Sequence, residues 1–332
     1  MFKMIAFSGV SLLCSAVLSV AVAAPQIAVV PDTQNYTNNE SRHGIMRQQI
    51  GWVADNVEAE NIVFMTHLGD IVSARIARVT RAKQWSVASD IFDLLVDRLP
   101  YSAAYGNHDF DTMGQSSDGA IDAQGYFGVA RYASKDWFVG ASPDGTNFAQ
   151  VFELSGIELL HITIKFKPDE ESYSWAQEVL DANPGKPTIV STHAYLTDSG
   201  TALRGNDLVE AGYDSIGQKI WNFLVRKNDQ IFMVIGGHNH AGDNVEISGD
   251  FSDDGEYHQI SINDSGNAVY EILANYQDYP NGGDGWLQLM ALDVENGRID
   301  VQTYSPFLDK YQDDAGSLYS WDVDLKDRWR LE

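Results

Sequence analysis

A set of carboxylates, amides and imidazoles in this chain has the types and settings needed to hold divalent cations. Five short apolar runs each end in such a residue: Gln26 to Val30 leads to Asp32, Ile62 to Met65 to Asp70, Leu99 to Ala104 to Asn107, Thr188 to Val190 to His193, and Ile231 to Ile235 to His238. Gln34, His108, Asp109 and His240 stand beside them. Singly, such residues are common in turns and caps. Together, and without a thiolate, they suit hard or borderline divalent ions, with enough ligands for two. Two ions sharing Asp70 and a bridging hydroxide, with Asp32 also bound, would carry a formal charge of about +1. Such a centre attracts a phosphate oxygen and lowers the pKa of bound water, which makes a nucleophile for attack at phosphorus.

For these residues to meet, the apolar runs must lie side by side with their carboxyl ends at one edge. The intervening sequence allows that. Residues 43–57 carry Ile45, Met46, Ile50, Val53 and Val57 at helical spacing, and 80–96 do the same with Trp85, Ala88, Ile91, Leu94 and Leu95. Helices are also predicted over 170–182, stopped by Asn183-Pro184-Gly185, and over 216–225. Strands 150–154 and 158–166 flank Ser155-Gly156 as a hairpin. After His240 the runs 257–262, 268–274, 286–292 and 298–304 read as strands. Helices alternating with strands imply βαβ units, and functional residues of such sheets collect beyond the carboxyl ends of the strands. Residues 110–149, rich in Gly, Ser and Asp, read as a long irregular insertion over one face of the domain.

The chain has 332 residues, of which 44% are apolar, enough to bury a substantial core. Lys3, the apolar stretch from Ile5 to Val22 and Ala21-Val22-Ala23 read as a secretory signal with cleavage near Ala23. The organisation expected is a signal peptide at 1–23, one catalytic domain at 24–310 and a C-terminal tail at 311–332, with a secreted or periplasmic location and no membrane association after cleavage. The single cysteine, Cys14, lies inside the signal, so the mature chain has no disulfide and no thiolate ligand. Of the 22 basic residues only Lys3 is lost with the signal, which leaves 21 against 47 acidic ones, a formal charge of -26. That charge argues against a general nucleic-acid binder and for a small phosphate ester as partner. Composition says nothing about oligomeric state.

The ordered set resembles the calcineurin-like metallophosphoesterase family, whose motifs are Asp-x-His, Gly-Asp-x-x-Asp, Gly-Asn-His-Asp or Glu, a lone His, and Gly-His-x-His. Here they read Asp32-Thr33-Gln34, Gly69-Asp70-Ile71-Val72-Ser73, Gly106-Asn107-His108-Asp109, His193 and Gly237-His238-Asn239-His240. The resemblance implies an α/β fold, a four-layer α/β/β/α sandwich of two mixed β-sheets, with a dinuclear centre at the loops. It implies one ion on Asp32, Gln34, Asp70 and His240, and a second on Asp70, Asn107, His193 and His238. His108 would stay off the metals, contact the phosphate and act as general acid. The ions could be manganese, magnesium, zinc, iron or calcium.

Two positions depart from the pattern. Gln34 replaces a histidine with a harder, weaker donor, which favours Mn²⁺ or Mg²⁺ over Zn²⁺ or Fe at the first site, unless its amide only bonds a neighbouring group. The resemblance includes secreted members with this variant. Ser73 replaces the Asp that would orient His108, which leaves Asp109 for that role or as a simple turn residue. Other metal chemistries fit less well: the chain has no H-E-x-x-H protease motif, and nothing singles out a glycosidase carboxylate pair. The expected function is hydrolysis of phosphomonoesters or phosphodiesters. The alternatives are a non-catalytic metal- or phosphate-binding protein of the same fold, or an extracellular nuclease or phospholipid phosphodiesterase.

Overall fold

The computed structural model describes residues 23–73, 79–197, 215–240 and 255–329. The predicted signal peptide, apart from Ala23, lies outside the described residues. Two seven-stranded mixed sheets pack face to face. The first is built around parallel β1 (Gln26–Val30), β2 (Ile62–His67) and β3 (Tyr101–Ala103). It continues from β1 through antiparallel β11 (Leu287–Asp293) to β12 (Arg298–Ser305), which pairs with both β13 (Lys310–Tyr311) and β14 (Leu318–Asp322). The second sheet runs β4 (Phe138–Ala141), β5 (Phe148–Leu154), β6 (Ile157–Ile164), β7 (Thr188–Ala194), β8 (Ile231–Gly237), β10 (Ala268–Ala274) and β9 (Glu256–Ile262). Its members β6, β7, β8 and β10 are parallel.

The alternation of side chains along each strand explains the layering. Ile27, Val29 and Phe64 point between the sheets and meet Phe152, Ile189, Met233, Ile235 and Ile272. Their neighbours Ala28, Val30 and Met65 point outward, beneath α2 (His43–Asp55) and α3 (Arg81–Phe92). On the far side Val190, Val234 and Leu273 pack under α6 (Glu170–Ala182) and α7 (Ser215–Phe223). The result is the expected α/β/β/α order. Caps mark the helix starts: Asp169 accepts from the Ser172 amide at 2.9 Å, and Thr80 from that of Lys83 at 3.4 Å. Ser155 and Gly156, at φ of 52° and 79°, close the β5–β6 hairpin in the left-handed conformation such a two-residue turn requires.

The insertion is more ordered than its composition suggests. It forms α4 (Ile121–Phe127), α5 (Val129–Tyr132) and edge strand β4, and its Phe127 and Tyr132 rings pack against Trp85, Phe92 and Tyr101. Aromatics without a period are the signal of this satellite packing. Beyond residue 311, where the sequence suggests a tail, β14 joins the first sheet, and Trp321, Leu325 and Trp329 are buried between the sheets. Among the described residues no helix is long and apolar enough to cross a membrane.

Phe64 stacks on Phe152 at 4.5 Å between ring centroids and lies 4.6 Å from the His161 ring, so it ties the two sheets together. Phe64→Ala is expected to cost about 3–5 kcal/mol in urea unfolding. A loss below about 1 kcal/mol would show that sheet packing does not depend on this contact.

Candidate metal centre

The ends of β1, β2 and β3 in one sheet and of β7, β8 and β10 in the other meet at one edge of the sandwich. The turn after β2 places Gly69 at φ 99° and Asp70 at φ 52°, and His238 after β8 stands at φ 69°. Non-glycine residues seldom occupy this region, and such departures collect at functional sites. Gly106 allows the closest approach: a Cβ there would lie 2.2 Å from Asp70 Oδ1.

His193 is the centre of the cluster. Its Nδ1 faces the Leu68 carbonyl at 2.9 Å, which makes Nδ1 the donor and turns Nε2 toward the site. Around Nε2 stand Asn107 Oδ1 at 2.9 Å, His238 Nδ1 at 3.1 Å and Asp70 Oδ1 at 3.3 Å. One shared proton satisfies at most one of these contacts, whereas a divalent cation satisfies all of them. Asp70, His193 and His238 offer ligand atoms that all lie within 4.8 Å of one another.

The electrostatics agree. Burial opposes charge on His193, but Asp70 and Asp32 outweigh it and push its pKa up to about 10. Burial likewise works against ionised Asp70, yet His193 and His108 hold its carboxyl well below the usual value. Asp32 is raised to about 7, chiefly by burial. Burial, reinforced by His193, lowers His238 to about 3. The raised values of His193 and Asp32 show that the buried carboxylates draw compensating positive charge into the pocket, and its oxygen and nitrogen donors fit a hard or borderline divalent ion.

The other expected ligands are less tightly gathered. Gln34 Nε2 donates to Asp70 Oδ2 at 3.3 Å and to Gln277 Oε1 at 2.5 Å, which leaves Gln34 Oε1 buried without a hydrogen-bond partner. An orphaned buried acceptor of this kind also fits a cation. Asp32 accepts from the His238 amide at 3.4 Å and from Asn275 Nδ2 at 3.3 Å. His240 lies at the exposed rim, its Nδ1 2.6 Å from Asp278 Oδ2. Among the described residues, neither Asp32 nor His240 belongs to the tight Asp70, His193 and His238 cluster.

His108 is nearly buried and held by its main chain. Its amide donates to Asp70 Oδ1 at 2.9 Å, its carbonyl accepts from Arg81 Nη1 at 2.8 Å, and its Nε2 lies 3.9 Å from Asp70 Oδ2. Asp109, considered above for orienting that ring, instead accepts from the amides of Ile71 at 2.9 Å, Val72 at 3.2 Å and Gly106 at 2.8 Å. It joins the Asp70 loop to the Asn107 loop. Burial, with Asp70 close by, pushes its pKa up to about 7 against the pull of those amides. Ser73 donates its amide to Gln84 Oε1 at 2.8 Å.

Two groups at the site escaped sequence reasoning. Arg81 caps the carbonyls of His108, Asp109 and Phe110 at 2.8–2.9 Å, but a helix-start arginine carries no sequence signal for that role. The segment Asn275 to Asp278 contacts Asp32, Gln34 and His240. It follows the apolar run of β10, the same pattern as the other five ends, and that signal was available. Outside the site, His67 and His161 are buried and hydrogen-bonded, and burial lowers both to about 3. Tyr36 and Tyr195 are packed rather than lining a pocket: the Tyr36 hydroxyl accepts from the Gly285 amide and that of Tyr195 donates to Glu271.

This strand order with metal-suited side chains at the strand ends defines a metallophosphoesterase fold, and purple acid phosphatase PPD1 from yellow lupin (Lupinus luteus) seeds shares it. The two superpose with a TM-score of 0.55 at 14% identity, over 92% of this chain and 55% of that one. The chain belongs to the calcineurin-like phosphoesterase family, whose model matches residues 25–242. It is 30% identical over 307 residues to the uncharacterized protein YvnB of Bacillus subtilis (strain 168), covering 90% of this chain but 21% of YvnB. This chain thus spans about a fifth of that relative's length.

Asp109→Ala removes the acceptor that, among the described residues, serves three buried amides and is expected to cost at least about 3 kcal/mol in urea unfolding of the metal-free protein. Stability equal to the parent's would overturn the role of Asp109 as the link between the two loops.

Proposed function

We propose that this protein is an exported metal-dependent phosphoesterase that hydrolyses a small phosphomonoester or phosphodiester. The observation that carries the proposal is the crowding of Asn107, Asp70 and His238 donor atoms around His193 Nε2, in a chain of the calcineurin-like phosphoesterase family. Asp70, Asn107, His193 and His238 are assigned to one ion; Asp32, Gln34, Asp70 and His240 to the other. When bound, divalent ions lower the pKa of water and offset phosphate charge.

The remaining work falls to the chain. His108 stands beside Asp70 with its backbone fixed by Asp70 and Arg81, and its ring is assigned to neither ion. It is assigned to hold the phosphate and to protonate the leaving oxygen. Asp278 restrains the His240 ring by accepting from its Nδ1. The net charge of -25 disfavours an extended polyanion and supports a small ester. The leader from Lys3 to Ala23 supports export.

The protein is expected to hydrolyse para-nitrophenyl phosphate or its bis ester with Mn²⁺ or Mg²⁺ and to lose that turnover in chelator. His108→Ala should lower kcat about 10²–10⁴-fold with the metal content unchanged. Absence of metal-dependent turnover in folded, metal-loaded protein would sink the proposal, and full activity in the variant would remove His108 from the mechanism. Gln34→His should tighten the weaker of two metal-binding steps and shift its preference toward Zn²⁺, read by titration calorimetry. Unchanged affinity and preference would mean that Gln34 is not a ligand.

A further inference from the structure

We propose that Lys167 recognises a second oxyanion on the substrate, so that the preferred ester carries another negative group beside the reacting phosphate; this rests on the phosphoesterase reading above. Lys165, Phe166 and Lys167 follow β6 and reach the rim of the metal centre. Each is separately fixed. Lys165 is buried, with its ammonium 2.8 Å from Asp144 and 2.9 Å from Asp169, and its amide donates to Asn147 Oδ1 at 2.9 Å. The Phe166 amide donates to the Tyr105 carbonyl at 2.9 Å, at the root of the Asn107 loop. The Phe166 ring lies 5.8 Å from the His193 ring and 5.3 Å from that of His238.

Lys167 then stands at φ 49°, a conformation that a lysine seldom adopts and that its neighbours impose. Its carbonyl accepts from Ser116 Oγ at 3.0 Å. Its ammonium sits 5.1 Å from the centre of the Phe166 ring and donates to the Gly114 carbonyl at 3.1 Å, while the Gly114 amide donates to the Asn107 carbonyl at 2.8 Å. A cation is therefore built against the loop that carries Asn107, on the ring that packs against His193 and His238.

Two features point to a second anion rather than to the reacting phosphate. The Phe166 ring centre lies 5.1 Å from the ammonium and 5.3–5.8 Å from the two imidazoles, so one aromatic ring links Lys167 to the centre. Its charge is also left available. Lys165, Lys135 and Lys186 pair with carboxylates, whereas Lys167, among the described residues, meets a neutral carbonyl and a ring face. In a chain of net charge -25, an exposed ammonium beside the site and, among the described residues, without a carboxylate partner supplies local attraction for an anion. The insertion, through Gly114 and Ser116, holds it there, so the insertion contributes to specificity as well as to packing.

Calorimetric titration of the manganese-loaded protein with non-hydrolysable phosphonates separates this assignment from turnover. Propylphosphonate has a neutral tail, phosphonopropionate a carboxylate tail and propylenebisphosphonate a second phosphonate. The parent is expected to bind one or both anion-tailed probes about tenfold more tightly than propylphosphonate, the size of a charge-assisted hydrogen bond. The tail that gains shows which oxyanion is read. Lys167→Met should erase the preference without lowering the melting temperature, and Lys167→Arg should keep it. Equal affinities in the parent, or a preference that survives Lys167→Met, overturn the proposal. A Lys167-dependent preference in a protein that hydrolyses neither nitrophenyl ester would uphold Lys167 and overturn the phosphoesterase reading instead.

Discussion

The Asp70 carboxylate is buried where the two sheets meet, and the rest of the site is arranged to tolerate it. Buried ionised carboxylates persist when hydrogen-bonded and paired. Asp70 has the His108 amide, the Gln34 amide nitrogen and the His193 ring within reach, and Gly106 lacks the Cβ that would collide with it. Its left-handed backbone turns the carboxylate into this setting rather than along the strand. Conformational strain is thus held at the point where most donors converge.

Several of the links around Asp70 are neutral polar groups. Leu68 orients His193 through its carbonyl, Asn275 restrains Asp32, and Gln277 restrains Gln34. Asp109 is kept for the backbone, where three amides hold two loops at a fixed separation. Arg81 stabilises the same loop from the carbonyl side. The site's supports thus combine these side chains with main-chain groups that the two sheets already order. The two halves of the pocket also differ: the His193 side is compact, while on the other side Gln34 is buried and His240 stands at the exposed rim.

The insertion between β3 and β5 links packing to the site. Its aromatic residues close one edge of the sandwich beside α3, and its Asp144 and Asn147 anchor the residues that follow β6. A stretch that reads as irregular is thus a scaffold for the rim. Packing there is nonperiodic because it fills a gap between two sheet edges, not the face of one helix or strand.

Local sequence determined much of this protein. The amphipathic spacing of α2 and α3, the Ser155-Gly156 turn, the apolar strands and the ligand types at their ends are properties of short segments, and they were legible because each segment is satisfied by its own periodicity. The ordered motifs also carried the family. Tertiary structure alone decided which sheet each late strand joins: β10 runs parallel beside β8, whereas β11 to β14 extend the first sheet, since pairing between distant segments leaves no local trace. It also decided that Asp109 bonds amides rather than His108, that Asn275 to Asp278 complete the pocket, and that Lys167 lies against Phe166 at its rim. Those outcomes depend on distances between loops, and loop separations are set by how two sheets pack, not by the residues within any one loop.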